Sequence, residues 1–578
     1  MRKKYRSFAV IALIVCLMSS IVACSGRGGS GRGPNIEKTD TTKTQLIVSN
    51  FDGGFGTEWL YKAKDRFEQM YADTSFEEGK TGVQIMIDAN KDQGFQIINT
   101  IKDSDTNVYF TQNVNYYDFV NKGYFADITD IVTEDLTAKY NESGTIEEKF
   151  DAYSRDYFSV NGKYYGIPHY YCNAGIVYDV DLFEEKGFYF AADTEIDANT
   201  TKYNTDLENG NDGFIFGKTD KKSNGPDGKP GTADDGLPAT YDEFFMLCDY
   251  IVEKGCTPVI WTGKYRNDYM KDIIRNMAID YEGVEQGQMY YSFSGTAKNL
   301  VESIDENGEV VFAAPTEIKA EDNGYKMYTS AGRYYAMQFY SKLTAKNKES
   351  KWLHNDCFNE NRSHTDAQDD FLRSRPATDN AVAMLFEGSH WVNEAKSTFE
   401  YVASTYGEEY SMSNRNLGMM PFPKATKEKI GEESTILDAM NSLGFINANC
   451  SAVQLEVAKK FLQFVNTDES LREFTRTTGT FRNLNYELTE SDEASLSGWG
   501  KLLLSTKSNT KVVYGFSKNR VWLNNSATLA YEGFQAKIGN TKYNLVVDEI
   551  RGGAISAKDY FNGIGNYYNE EWWKQLTF

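Results

Sequence analysis

The sequence predicts an α/β fold. Apolar runs of strand length alternate with segments of helical period, and the runs end in loops rich in glycine and asparagine. A chain of 578 residues is also long enough for more than one buried core.

The elements follow in order. Gln45 to Ser49 (QLIVS) reads as a strand, ended by the loop Asn50-Phe51-Asp52-Gly53-Gly54-Phe55-Gly56. From Trp59 to Tyr71 the residues Leu60, Ala63, Phe67, Met70 and Tyr71 share one helical face. Val83 to Ile87 is a strand, Phe95 to Ile101 a helix, Val108 to Phe110 a strand and Asn115 to Val120 a helix. Such alternation favours a mostly parallel sheet with right-handed crossovers. Ligands of open sheets sit outside the carboxyl ends of strands, where the loops Asn50–Gly56 and Thr111–Asn113 fall.

The N-terminus has the pattern of an export signal. Arg2, Lys3, Lys4 and Arg6 precede an apolar run from Phe8 to Met18, too short to span a bilayer comfortably. Ile21-Val22-Ala23-Cys24 resembles the lipobox of bacterial lipoproteins, in which the cysteine is acylated and becomes the first mature residue. The alternative is an ordinary signal peptide with an incidental cysteine. Residues 24–44 hold glycines and almost nothing apolar, and are expected to form a flexible leash. The expected location is therefore the outer side of the cytoplasmic membrane, with the lipid as the only membrane contact.

Composition narrows the partners. The formal net charge is −22, and removing residues 1–23 with their four cationic side chains makes it −26, which argues against nucleic acid and anionic lipid. Aromatic residues make up 14%, which suits surfaces that bind sugars but is also common in exported proteins. Cys172, Cys248, Cys256, Cys357 and Cys450 show no zinc-ligand spacing and are expected to be buried thiols.

Val160-Asn161-Gly162-Lys163-Tyr164-Tyr165-Gly166-Ile167-Pro168 followed by Gly175-Ile176-Val177-Tyr178-Asp179-Val180-Asp181-Leu182-Phe183 resembles a signature of family 1 extracellular solute-binding proteins. These serve ATP-driven sugar importers. The resemblance continues in order through Pro238–Phe244, Ala381–Trp391, Leu417–Pro423 and Val457–Phe464. Asp179 replaces the usual asparagine of the family, and His390 is inserted in its Gly-Ser-Trp motif.

The resemblance implies a two-lobed, periplasmic-binding-protein-like fold with a hinge between the lobes. Residues 45–168 plus 443–482 would form the N-terminal lobe, and 169–442 plus 483–578 the C-terminal lobe, with polar insertions at about 188–236 and 347–377. Hinges would lie near Pro168 and Asn441–Phe445. The implied function is capture of a carbohydrate, an oligosaccharide by expectation, by a monomer that delivers it to the permease subunits of an ABC transporter. Sugar sites pair aromatic platforms with planar polar groups. On loops matching the family cleft these are Trp391, Trp261, Tyr170, Tyr171, Asp52, Asn50, Gln112, Asn113 and Arg482. For each, ordinary packing is the competing reading.

Asp220, Asn224, Asp227, Asp234 and Asp235 crowd oxygen donors around the turn glycines of NGPDGKPGTADDG. Calcium takes about 6–8 such oxygens, so a structural calcium is expected here, with a solvated acidic loop as the alternative. No HExxH, GxSxG or Walker loop occurs, so no enzyme is expected. Two alternatives remain open: a carbohydrate-active enzyme built on paired carboxylates, and a surface glycan receptor not coupled to transport.

Overall fold

A computed structural model describes residues 38–192, 213–215, 221–345, 352–377, 380–529 and 533–578. The signal segment, Cys24 and Asp220 lie outside these. Two sheets organise the chain. The first has the order β2-β1-β3-β9-β4, built from β1 (Thr44–Phe51), β2 (Val83–Asn90), β3 (Val108–Thr111), β4 (Ile167–Pro168) and β9 (Leu443–Ile446). The second has the order β8-β5-β7-β6, built from β5 (Ala174–Asp179), β6 (Thr257–Ile260), β7 (Val382–Gly388) and β8 (Leu417–Met420).

The expectation of mostly parallel pairing holds in part. β1 is parallel to β2 and β3, and β7 to β6. β9, however, runs antiparallel to both β3 and β4, and β5 runs antiparallel to both β7 and β8. β9 reaches the first sheet from the second lobe, not through a βαβ unit, and so enters against the run of β3. Gly444 in β9 is required by packing, because a Cβ there would meet the Phe110 ring at 2.7 Å.

Each sheet has its own apolar core. One core joins Leu46, Phe67, Phe110, Tyr116, Phe445 and Phe461; the other joins Ile176, Phe244, Trp261, Leu385, Trp391 and Trp573. Helices α1 (Glu58–Met70), α6 (Ala452–Phe464) and α7 (Asp468–Thr478) contribute to the first core. Helices α2 (Tyr241–Glu253), α3 (Arg266–Ser292), α4 (His364–Ala377) and α5 (Trp391–Glu394) contribute to the second. The Thr240 hydroxyl caps α2 by accepting the Glu243 N–H at 3.3 Å. Tyr170 and Cys172 pack in the first core, as do Tyr514 and Phe516 from the C-terminal stretch.

Three stretches differ from their sequence reading. The folded part begins before residue 45: Asp40 N–H bonds Gln84 Oε1 at 2.7 Å, and Thr44 N–H bonds the Gly82 carbonyl at 3.0 Å. These bonds remove residues 39–44 from the leash. Phe188, Tyr189 and Phe190, at the start of the first insertion, are buried in the second core. The second insertion supplies α4, whose Gln368, Phe371 and Leu372 are buried. A reciprocal pair of bonds between Ser363 and Asp366 fixes its start. The five cysteines among the described residues are free thiols; four are buried and Cys450 is half-buried. Among the described residues, no helix is long and apolar enough to cross a membrane.

Candidate functional site

The two lobes meet where the loop after β1 touches the end of β7. β7 (VAMLFEG) lies between β5 and β6 and is buried along its whole length. It therefore carries Glu387 into the interior, at 2% exposure. The turn after it, Gly388-Ser389-His390, leads into α5, which ends in Glu394. From the other lobe, Gly54 N–H donates to Glu394 Oε1 at 3.1 Å, and the Phe55 ring lies 5.4 Å from that of His390 and 4.3 Å from that of Tyr170. Asn393 Nδ2 bonds the Thr478 carbonyl at 2.8 Å, and Lys396 pairs with Glu58 at 3.7 Å.

Behind this contact lies a polar cluster. Gln368 Nε2, from α4, donates to Glu394 Oε2 at 2.9 Å and to Glu387 Oε2 at 3.2 Å. His364 Nε2 lies 3.7 Å from Glu394 Oε2, and His390 Nε2 lies 4.0 Å from Glu394 Oε1. His390 Nδ1 faces Cys172 Sγ at 3.1 Å. Tyr265, at the start of α3, is exposed with its ring 5.7 Å from His364, and Tyr269 one turn on lies 6.3 Å from the same imidazole. Tyr269 and Glu387 also influence each other electrostatically.

Burial, with the Glu394 charge added, pushes Glu387 up to about 8. Burial acts on Glu394 in the same sense, but His390, His364, Gln368 and the Gly54 N–H together hold it below the ordinary carboxylate value. Burial also keeps His390 below the usual histidine value, against the pull of Glu394. The Cys172 thiol is pushed up to about 12 by burial and is no nucleophile at neutral pH.

The sequence-predicted residues divide into three groups. Asn50, Asp52, Gln112, Asn113 and Tyr170 come together at the first-lobe side of the junction. Asn50 Nδ2 bonds the Phe51 carbonyl at 2.9 Å, Asp52 N–H bonds the Asn90 carbonyl at 2.6 Å, and the Tyr170 hydroxyl donates to Gln112 Oε1. Asn113 adopts φ 54° and bonds Gln93. Tyr171 and Arg482 lie in the crossover, buried. Arg482 sits among Trp59, Phe110 and Phe474, with Nη2 on Asn466 at 2.9 Å, and burial pushes it down to about 9.

Trp391 and Trp261 form the third group, and here the structure differs from the expectation of sugar platforms. Neither exposes any surface. Trp391 is enclosed by Phe371, Phe399 and Trp499, and Trp261 by Phe358 and Phe386. Their faces are spent on neighbouring rings, so they pack the second core. Tyr265, Tyr269, His364, Gln368, Glu387 and Glu394 escaped the sequence reading, because nothing local links three segments spread over more than a hundred positions. The one signal was the inserted His390.

In the acidic loop, Asp227 N–H bonds Asp234 Oδ2 at 3.0 Å, Gly231 N–H bonds Asp235 Oδ2 at 2.7 Å, and Thr232 Oγ1 donates to Asp234 Oδ1 at 2.6 Å. Asn224 Nδ2 bonds the Gly228 carbonyl at 3.2 Å. Among the described residues, the one trio of His, Cys or carboxylate ligand atoms all within 4.8 Å of one another is His354, Asp356 and Asp370, elsewhere in the lobe. Arg362 already pairs with Asp356 at 2.8 Å and Asp370 at 2.5 Å.

The chain belongs to the bacterial extracellular solute-binding proteins, whose family model matches residues 72–497. No curated protein matches it. Among solved structures it shares the fold of a chitin oligosaccharide binding protein, at 14% identity and a TM-score of 0.53 over 91% of this chain and 98% of that one. It shares it also with a protein of xylan utilisation from the thermophilic bacterium Caldanaerobius polysaccharolyticus, at 13% identity and a TM-score of 0.51 over 91% and 100%. A third is the cyclic α-maltosyl-1,6-maltose binding protein of Arthrobacter globiformis, at 12% identity and a TM-score of 0.50 over 92% and 100%.

Proposed function

We propose that the chain captures an oligosaccharide at the junction of its two lobes and delivers it to the permease of an ABC importer. The observation that carries the reading is the junction itself. In a member of a solute-binding family, an exposed tyrosine beside a histidine ring stands near a carboxylate, Glu394, that the two lobes share. Flat rings suit the C–H faces of sugars, and carboxylates accept hydroxyl protons. The solved proteins of the same fold named above bind or process glycans, which supports the same ligand class.

The contacts we assign are Tyr265, Tyr269, Asp52, Asn50, Gln112, Asn113, Tyr170 and Glu394, with Tyr171 and Arg482 setting the crossover from beneath. Lipidation at Cys24, release of residues 1–23, a monomeric state and a location outside the cytoplasmic membrane belong to the same proposal. So does a structural calcium on Asp227, Asp234 and Asp235, with Asn224 and Asp220. No catalytic role is assigned.

The test is a glycan-array screen of the protein from Ser25 onward, repeated with Tyr265→Ala. Retention of an oligosaccharide that the variant binds at least tenfold more weakly is expected. An array with no retained glycan overturns the reading, as does recovery of cleaved glycan.

A further inference from the structure

We propose that the junction favours oligosaccharides that carry a free amino group over their neutral or acidic counterparts. The proposal rests on the carbohydrate reading above and narrows it.

Two buried amide oxygens beside the lobe contact lack a partner among the described residues. Glu387 and Glu394 are bridged by one amide nitrogen of Gln368, and Gln368 is wholly buried. The Oε1 of that amide has no partner among the described residues. Asn173 is tied to the same turn by the bond from Ser389 N–H to its carbonyl at 2.9 Å. Its side-chain oxygen is likewise buried and unpartnered.

Among the described residues no lysine or arginine pairs with either carboxylate. Glu394 has His364 and His390 as its only ion-pair partners among the described residues, and Glu387 has none. Each lone buried acceptor calls for a donor, and the ionised Glu394 carboxylate calls for positive charge. An ammonium group brings three donors and that charge together.

Three further features agree. Tyr265, Tyr269 and His364 are rings beside the carboxylates, and a cation over an aromatic face is attracted to it. Burial first and the neighbouring Glu394 charge second raise the proton affinity of Glu387, and a bound cation would offset the second of these. The whole chain, at −22, draws cations and repels anions over long range. An oligouronate would bring its carboxylates to the charge of Glu394.

The experiment titrates matched gluco-oligosaccharides, α- and β-linked, in three forms: neutral, 2-amino-2-deoxy and uronic. Calorimetry is run at pH 6 in low salt, on the natural protein and on Glu394→Gln. The amino form is expected to bind at least tenfold more tightly than the neutral form, with the uronic form weakest. Salt should shrink the amino advantage, and Glu394→Gln should bring the ratio close to one. Because the variant could lose stability, the ratio in the natural protein decides. A ratio at or below one overturns this inference while leaving the carbohydrate reading intact. Absence of binding by all forms, together with an empty glycan array, overturns both.

Discussion

Gly54 N–H donates to the Glu394 carboxylate at 3.1 Å, and these two residues belong to different lobes. Gly54 has φ +50°, and a Cβ there would meet the His390 ring at 2.7 Å. The backbone conformation and the close approach both require glycine. Gly54→Ala should therefore cost about 1–3 kcal/mol in the joined state. Ligand affinity should fall by roughly tenfold or more. Calorimetry on the variant checks this, and unchanged affinity would show that the lobe contact does not take part in binding.

Trp391 is a core residue in this fold. Trp391→Ala should destabilise the protein by about 3–5 kcal/mol, as large aromatic truncations in packed cores do. Trp391→Phe should recover much of that loss. Denaturant unfolding measures both. A Trp391→Ala protein of natural stability that has lost only its ligand would return the indole to the binding surface.

Glu387 sets a pH dependence of stability. Its value in the fold is raised from 4.5 to about 8, so the folded chain holds a proton that the unfolded chain releases. The stability this provides is fully present below about pH 4.5 and is lost as pH rises towards about 8. The slope is about 1.4 kcal/mol per pH unit for one proton. Asp438, pushed up to about 7 by burial, adds a loss of the same sign. Glu387→Gln should flatten the fall in unfolding free energy between pH 5.5 and 7.5. An unchanged slope in the variant would assign the titration to other groups.

The acidic loop provides a separate test. Calcium should raise the melting temperature, with about 2.7 kcal/mol of stabilisation at a hundredfold excess over Kd. Asp234→Ala with Asp235→Ala should abolish the calcium response. The double variant also loses the bonds from Thr232 and Gly231, so the readout is the calcium-dependent shift alone. Equal melting temperatures in excess EGTA and excess calcium would leave the loop to its own hydrogen bonds.

Cys24→Ser should leave the chain unacylated, either released or held as the precursor. Mass spectrometry of the mature N-terminus checks this. An unlipidated mature chain starting elsewhere would remove the anchor.

Much of the fold was legible because its signals are local. The helix from Glu58 to Met70 and the strands at Val83 and Val108 follow from apolar period. The antiparallel entry of Leu443–Ile446 was not legible, because strand direction depends on where a distant segment returns. At the site, the loop Asn50–Gly56 was found from its place after a strand. Glu387, Glu394, Gln368 and His364 were not, because they meet only when β7, α5 and α4 pack together. The tryptophans misled for a related reason: a large flat side chain at a strand end serves a core or a ligand equally well, and only burial separates the two.

The central claim is capture of an intact oligosaccharide between the lobes. Its most direct test is a crystal structure of the protein from Ser25 onward, grown with an oligosaccharide retained on the array. The sugar is predicted to lie against Tyr265 on one lobe and the Asn50–Gly56 loop on the other, uncleaved and within hydrogen-bond reach of Glu394. A sugar bound elsewhere on the surface, touching one lobe only, would contradict the account.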